Sequence, residues 1–404
     1  MAAPAELQAA LDLLRGLRER HGIDVVTTAQ AARSAPAQAA ALALRHLLPA
    51  DLIWHIEGHE VLARLASGDV LVLGLDPSPR VNGRAVREGR LRRATIDEGS
   101  ARAVFELAAA LWSNPKFLPE IEPIGTLMPP PSDALAVPRG MEFVSAMARS
   151  DRPLPKVVDE VPTPGWLAPG LLGLAGPRRQ AFERTVWNAL RFLLLHELGH
   201  VCLGHLELGA RKQRYRMIEE LRIRDGAAPP KAGGLTDEAR RALEIEADGF
   251  AAARLFGEAH ERDASTGLQA GMLSATASAL LGAALVPIIF HAMQVFSETP
   301  EPLSTHPPLW FRADAMMRAA MPGAGTGALL DAPLRHWAAN DALQRPLAAA
   351  GHTHPLLGQW LGPVIDGGLD GPARRVLAEA RFARDGLLRG RLRVQQQVVP
   401  SRGP

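Results

Sequence analysis

The segment RFLLLHELGHV, residues 191–201, constrains the fold of this chain more than any other segment. It contains the apolar run 192–195, several residues upstream of it are also apolar, and Pro177 can begin a helix there, so the pattern predicts a buried helix. His196 and His200 lie one turn apart on one face of that helix, so both imidazoles can bind one metal ion. Glu197 stands where a carboxylate can accept a proton from water at the metal. Such polar groups are costly inside a buried helix unless they are paired or bind metal, which favours a metal site.

A zinc site of this kind needs a third protein ligand, and the segment LEIEADGF, residues 243–250, offers one. Thr236 is a suitable N-cap for a helix through this segment. Glu244 and Asp248 share one face of the helix, so Glu244 is predicted to complete the metal site and Asp248 to accept the N–H of a ligating histidine. Glu246 points in another direction, with solvent or an arginine as its expected partner, and remains the rival for third ligand.

The metzincin pattern of zinc ligands is excluded. It requires a glycine and a histidine at positions 203 and 206, which hold Leu203 and Leu206. On a continuing helix, His205 would point away from the ligand face. We therefore expect His205 to have a structural or substrate-side role and not to bind the metal.

Three elements carry a resemblance to known peptidases. HELGH followed by EIEADGFA resembles the gluzincin zinc metallopeptidases. The segment STHPPLWFR, residues 304–312, resembles an element that follows the second zinc helix in peptidases of the HtpX and CaaX-prenyl-protease type. The order of elements is also similar to that of the soluble, phage-exclusion Lit-type peptidases. The resemblance covers residues 177 to 318, under half of the chain.

The resemblance implies a zincin-like core, a Zn²⁺ cofactor and a zinc-dependent endopeptidase acting on protein or peptide substrates, with an intracellular regulatory or phage-defence role. In this class a Tyr, His or Arg stabilises the oxyanion. His306 is therefore a second candidate catalytic residue, in addition to Glu197, and Tyr215 is the alternative to His306. Two other functions remain open: a non-catalytic protein-binding module that retains the fold, and a membrane-anchored quality-control protease.

The pattern along the chain predicts a mainly α protein, α+β with a small sheet, with helical additions to the core. Residues 1–113 are expected to form an N-terminal helical region with a short strand or hairpin, and 114–176 a proline-rich extended segment. The peptidase core would occupy 177–320 and a helical tail 321–404. Within the first region, 1 to about 70 are predicted helical, 69–76 a strand and 95–112 a helix. Asn82-Gly83 is a tight-turn signal that is expected to begin a hairpin or an arm.

Composition limits the partners and the compartment. The chain has 45 basic and 43 acidic residues, a net charge of +2, and few aromatics among its arginines, so nucleic acid is not an expected partner. The arginine-rich stretch 87–93 is interpreted as a solvated helix face. Cys202 is the only cysteine and the N-terminus has no export signal, which favours a reducing cytoplasm.

Residues 264–297 contain no formally charged side chain and are long enough to cross a bilayer. Many of them are Ala, Ser, Thr and Gly, and polar residues interrupt the run. We therefore expect a buried helix or helical hairpin, with a membrane span as the less favoured alternative.

Overall fold

The computed structural model describes two groups of residues. The continuous ranges are 35–48, 53–57, 60–65, 68–78, 81–112, 176–206, 217–219, 237–266 and 274–296. The isolated residues are eight helical positions between 8 and 19, together with Ile121 and Arg312. The described residues of 1–101 and 193–247 form one compact unit, and those of 102–192 and 248–379 form another.

The first unit contains a six-stranded mixed sheet. Its strands are β1 Ile53–Glu57, β2 Glu60–Arg64, β3 Val70–Asp76, β4 Gly83–Glu88, β5 Leu91–Asp97 and β6 Met217–Glu219. They lie side by side in the order β1-β2-β3-β5-β4-β6. β3 and β5 are parallel, and every other neighbouring pair is antiparallel. Helix α1, Ala35–Arg45, packs on β2 and β3.

The described part of the chain also contains four longer helices, two between β5 and β6 and two after β6. They are α2 Glu98–Trp112, α3 Gly176–Cys202, α4 Asp237–Thr266 and α5 Ala275–Phe296. The predicted zinc helix is therefore present as α3, which begins one residue before Pro177. The predicted second helix is present as α4, which begins directly after Thr236.

The prediction that residues 1 to about 70 are helical is wrong for Ile53–Glu57 and Glu60–Arg64, which form the paired antiparallel strands β1 and β2. Val61, Leu62 and Ala63 are all buried, so this strand lacks the polar–apolar alternation that identifies a half-exposed strand. The strand at 69–76 is confirmed as β3. Asn82-Gly83 lies at the beginning of a hairpin, which was one of its two predicted alternatives, since Gly83 begins β4 and β4 pairs with β5. The turn of this hairpin is at Gly89, which has a φ of 57°.

One face of the sheet carries a buried network of charged groups. Arg93 donates to Glu60 and to both oxygens of Asp76, while Arg84 donates to Asp76 and Asp97. By strand alternation, the same face continues as an apolar cluster. Its members are Leu14, Leu62, Val70, Val72, Val86 and Leu91.

The interpretation of 87–93 as a solvated helix face is wrong. Arg92 and Arg93 lie in β5 and are buried. Arg92 pairs with a carboxylate of a neighbouring loop, and Arg93 pairs with carboxylates of other strands.

This network makes folding depend on pH through Asp97. The parallel register places Asp97 directly opposite Asp76. Burial and the Asp76 charge raise the pKa of Asp97 to about 7, although Arg84 opposes the rise. The folded protein therefore keeps a proton on this carboxyl at pH values where the unfolded chain has lost it. Its contribution to the free energy of unfolding falls as pH rises from about 4 to about 7.

We expect Asp97→Asn to remove this contribution. Urea unfolding between pH 5 and 8 should show the wild type losing stability relative to the variant, by at most about 1.4 kcal/mol per pH unit for one proton. The exposed Asp12→Asn variant is the control and should follow the wild type. Parallel wild-type and Asp97→Asn curves would contradict the assignment.

The second unit is helical, and polar contacts join its helices. Trp112, at the end of α2, donates from Nε1 to Thr185 Oγ1 in α3 at 3.1 Å. Arg178 Nε donates to the carbonyl oxygen of Trp112 at 2.6 Å. Farther along α3, Arg191 donates from Nη2 to both carboxylate oxygens of Glu258 in α4, at 2.7 and 2.9 Å. These contacts hold α3 at Arg178, Thr185 and Arg191, in the part of the helix that precedes the HELGH segment.

Helix α5 packs closely against α3. A β-carbon on Gly282 would lie 2.8 Å from the Ala189 nitrogen, 2.8 Å from the Thr185 carbonyl oxygen and 2.6 Å from the Asn188 β-carbon. Most described side chains of α5 are buried, as expected for a buried helix in 264–297. Among the described residues, no helix has the length and apolar character needed to cross a membrane.

The close approach at Gly282 predicts that Gly282→Ala destabilises the protein by about 1–3 kcal/mol, because the methyl group meets backbone atoms that cannot rotate away. Urea unfolding measures the loss. Gly257→Ala in α4 is the matched control, since a β-carbon there meets nothing within 4 Å. Equal stabilities for the two variants would contradict the close packing of α3 and α5.

Candidate metal centre

His196, His200 and Glu244 come together although the glutamate lies 44 positions after the second histidine. One ligand atom from each residue lies within 4.8 Å of the others, and all three residues are buried. The two Nε2 atoms are 3.1 Å apart. Glu244 lies 3.2 Å from His196 Nε2 through one oxygen and 3.6 Å from His200 Nε2 through the other. These three side chains could hold one metal ion.

The electrostatics keep Glu244 charged. Burial by itself would raise the pKa of this carboxyl, but the charge of His200 and the hydrogen bond from His196 outweigh it and hold the pKa well below its usual value. A buried carboxylate is tolerated only when it is paired or bound to a cation. Two imidazoles and one carboxylate that share one centre therefore form a suitable donor set for a divalent ion.

Glu197 is completely buried next to the first histidine, and its carboxylate lies against the beginning of β4. A β-carbon on Gly83 would overlap Oε1 of Glu197 and lie 2.9 Å from its carboxyl carbon. Gly83 occupies the opposite face of the sheet from the charged network, by strand alternation from Arg84. The absence of a side chain at position 83 is thus what leaves room for the Glu197 carboxylate. The sequence showed Asn82-Gly83 only as a turn signal.

His205 contacts the site because α3 does not continue through it. The helix ends at Cys202, and Gly204 adopts a φ of 73°, the left-handed conformation in which glycine commonly ends a helix. The turn brings His205 Nδ1 within 2.9 Å of His200 Nδ1. The assumption that the helix continues through His205 was therefore wrong. His205 is not among the three grouped candidate ligands, and its structural or substrate-side role stays a prediction. Burial lowers the pKa of His205 to about 4, against a smaller opposing effect of its hydrogen bond to Glu246.

Glu246 also has a different partner from the one expected. Its Oε2 lies 3.2 Å from His205 Nε2, and the side chain is 17% exposed. Solvent or an arginine was the predicted partner, so the sequence missed the pairing of two residues that lie 41 positions apart. A glycine-histidine pair directly after a predicted helix was the available signal, since glycine at this position reverses the chain.

Asp248 lies one turn beyond Glu244 on α4 and is completely buried. Its two oxygens accept from Arg312, at 2.6 Å from Nε and 2.9 Å from the terminal nitrogen. Arg312 is the arginine of the STHPPLWFR segment and the one residue of it that the structure describes, and this residue contacts the second predicted zinc helix. The orientation of a histidine by Asp248 stays a prediction. His306 and Tyr215 lie outside the described residues, and their proposed roles also stay predictions.

One comparison with known proteins gives a match. The Peptidase U49 family model matches residues 139–326, a range that contains the whole HELGH segment, both candidate metal-binding helices and the STHPPLWFR segment. No curated protein and no solved structure matches the chain. The family match indicates a peptidase and supports the Lit-type part of the resemblance. The resemblance to the HtpX and CaaX-prenyl-protease type stays a prediction.

Proposed function

We propose that this protein is a zinc-dependent endopeptidase. The observation that carries the proposal is the buried centre of His196, His200 and Glu244, whose ligand atoms lie within 4.8 Å of one another beside the buried Glu197. The match of the Peptidase U49 model to the region that holds this centre supports peptide hydrolysis as the reaction.

Zinc is the metal that best suits these donors. Two histidine nitrogens and one glutamate oxygen are a ligand set of catalytic zinc sites, which keep a fourth position for water or substrate. Calcium and magnesium prefer shells made of oxygen atoms, which two imidazoles do not provide. Neither a disulfide nor a second cysteine is available to build a structural Cys site, because Cys202 is the only cysteine in the chain.

The residues around the centre have distinct roles in the proposed reaction. When bound, zinc supplies a Lewis acid that makes water nucleophilic at neutral pH and polarises a peptide carbonyl. Glu197 takes the proton from the attacking water and then passes it to the nitrogen of the departing amine. Gly83 leaves room for the Glu197 carboxylate against β4, which supports a role for Gly83 in positioning this proposed base.

The proposed substrates are proteins or peptides, and the proposed role is regulation or phage defence inside the cell. The support for the substrate class is the Peptidase U49 match. The support for the role is the resemblance to the Lit-type peptidases. The near balance of 45 basic and 43 acidic residues gives no support to a nucleic-acid partner.

A peptide-library digestion tests the proposed function. The purified protein, a chelator-treated sample and the same sample after return of zinc are each incubated with peptides derived from a proteome, and with a native lysate. Mass spectrometry then identifies new internal cleavage sites. We expect sites that vanish with the chelator and return with zinc. Equal cleavage in all three samples, or no cleavage by the zinc-loaded protein in either mixture, would contradict the proposal.

A further inference from the structure

His205 and Glu246 form a chain of side-chain contacts that begins at His200 of the metal centre. Glu246 Oε2 is 3.2 Å from His205 Nε2, and His205 Nδ1 is 2.9 Å from His200 Nδ1. On its other side, the Nε2 atom of His200 faces His196 and Glu244. Each ring nitrogen of His205 therefore has one partner, and each ring nitrogen of His200 faces a different neighbour: His205 on one side and the metal centre on the other.

The hydrogen-bond chemistry of two facing Nδ1 atoms leaves one assignment of protons. A contact of 2.9 Å between two ring nitrogens requires one donor and one acceptor. If Nε2 of His200 binds metal, that nitrogen carries no proton and the proton of His200 is on Nδ1. His205 Nδ1 must then accept, so the proton of His205 is on Nε2. The N–H of His205 then points at the carboxylate of Glu246, which in its ionised form is an acceptor and has no proton to donate.

We propose that His205 and Glu246 are positioning residues for the metal ligand His200. Glu246 fixes the tautomer of His205, and His205 in turn holds the proton of His200 on Nδ1 and leaves Nε2 available to the metal. A carboxylate or carbonyl commonly accepts the N–H of a ligating histidine in zinc sites, orienting the ring and raising its basicity. Here a second histidine stands between the ligand and the carboxylate.

The local fold brings these residues together in the protein interior. His205 and His200 are both buried, and Gly204, in the left-handed conformation, brings the second ring back onto the first. Glu246 comes from α4, the helix that also supplies Glu244. The same two elements, α3 with its final turn and α4, thus supply both the candidate ligands and the residues that orient one of them.

Zinc affinity, measured by competition with a chromophoric chelator at fixed pH, tests the proposal without relying on activity. We expect His205→Leu and Glu246→Ala to weaken zinc binding by about 10–100-fold. His205→Asn should recover much of the loss, because its side-chain oxygen can replace Nδ1 as the acceptor for His200. His260→Leu is the control, since His260 bonds to Thr276 away from the centre, and its affinity should equal that of the wild type.

A spectroscopic measurement separates positioning from a general loss of packing. In the zinc-loaded protein with ¹⁵N-labelled histidine, His200 should show a protonated Nδ1 and a metal-bound Nε2. This Nδ1–H signal should shift in His205→Leu and return toward its wild-type position in His205→Asn. The partly exposed Glu246 provides a second variant if His205→Leu does not fold.

The proposal rests on the metal site of the proposed function, and the outcomes distinguish the two. A wild type that binds no zinc would overturn both. A wild type that binds zinc, with His205→Leu and Glu246→Ala folded and binding it equally well, would overturn the role of His205 and Glu246 alone. A wild-type His200 with its proton on Nε2 would also overturn that role.

Discussion

Glu197→Gln should slow peptide hydrolysis by roughly 10²- to 10⁴-fold, because the amide cannot take up the proton that a carboxylate accepts. Glutamine has nearly the same shape, and Glu197 is completely buried between its helix and β4, so the fold should change little. The side chain is not one of the three candidate ligands, so zinc content should equal that of the wild type.

The measurement is kcat/KM on a peptide identified by the library digestion, together with zinc content. Glu183→Gln is the control because Glu183 lies on the exposed side of the same helix, 57% exposed and paired with Arg179. A Glu197→Gln enzyme that retains the wild-type rate would remove Glu197 from the reaction, whatever its metal content.

Gly83→Ala should slow the same reaction roughly 100-fold, since a displacement of about 1 Å in a catalytic group has an effect of this size. The added methyl group overlaps Oε1 of Glu197, and either the carboxylate or the start of β4 must move. The carboxylate is the end of a side chain and moves more easily than a strand held by two neighbours. We therefore expect a large loss of activity with a small loss of stability and unchanged zinc content.

A double variant isolates the cause of this loss. If alanine at position 83 acts through Glu197, adding Gly83→Ala to Glu197→Gln should slow the reaction no further. Gly257→Ala is the control for the same chemical change, since a β-carbon there meets nothing within 4 Å. Independent, multiplying losses in the double variant would show that Gly83 acts in another way.

The candidate centre was largely predictable because it depends on local periodicity. Four-residue spacing places His196 and His200 on one helical face wherever the helix lies, and the apolar run around them ensures its burial. The same argument identified the helix that carries Glu244. What the spacing could not supply was that the two helices bring these side chains together, with His196 Nε2 at 3.2 Å from a carboxylate oxygen of Glu244.

The sheet was harder to predict because its strands are stabilised by pairing with neighbouring strands. β1 and β2 lie in a region of helix-like sequence, and their pairing depends on β3. Strand preference follows the packing partners more than the residues themselves. Arg93 resembled part of a solvated arginine cluster, and only the fold brings Glu60 and Asp76 to it, from 33 and 17 residues away.

His205 shows the limit of periodicity as a guide. The extrapolation placed it correctly for a continuing helix, but α3 ends at Cys202. One glycine with a positive φ then reverses the direction of the next side chain. Helix ends are set by such single residues and by tertiary packing, so a residue close to a predicted end can lie on either side of the site.

Metal content of the purified protein tests the central claim most directly. The wild type, Glu244→Ala and the exposed Glu261→Ala control are prepared under reducing conditions with zinc supplied, and bound zinc is measured after removal of excess. We predict about one zinc ion per chain for the wild type and the control, and none for Glu244→Ala. A wild type that holds no metal, or a Glu244→Ala variant that holds as much zinc as the wild type, would contradict the assignment of His196, His200 and Glu244 as a metal centre.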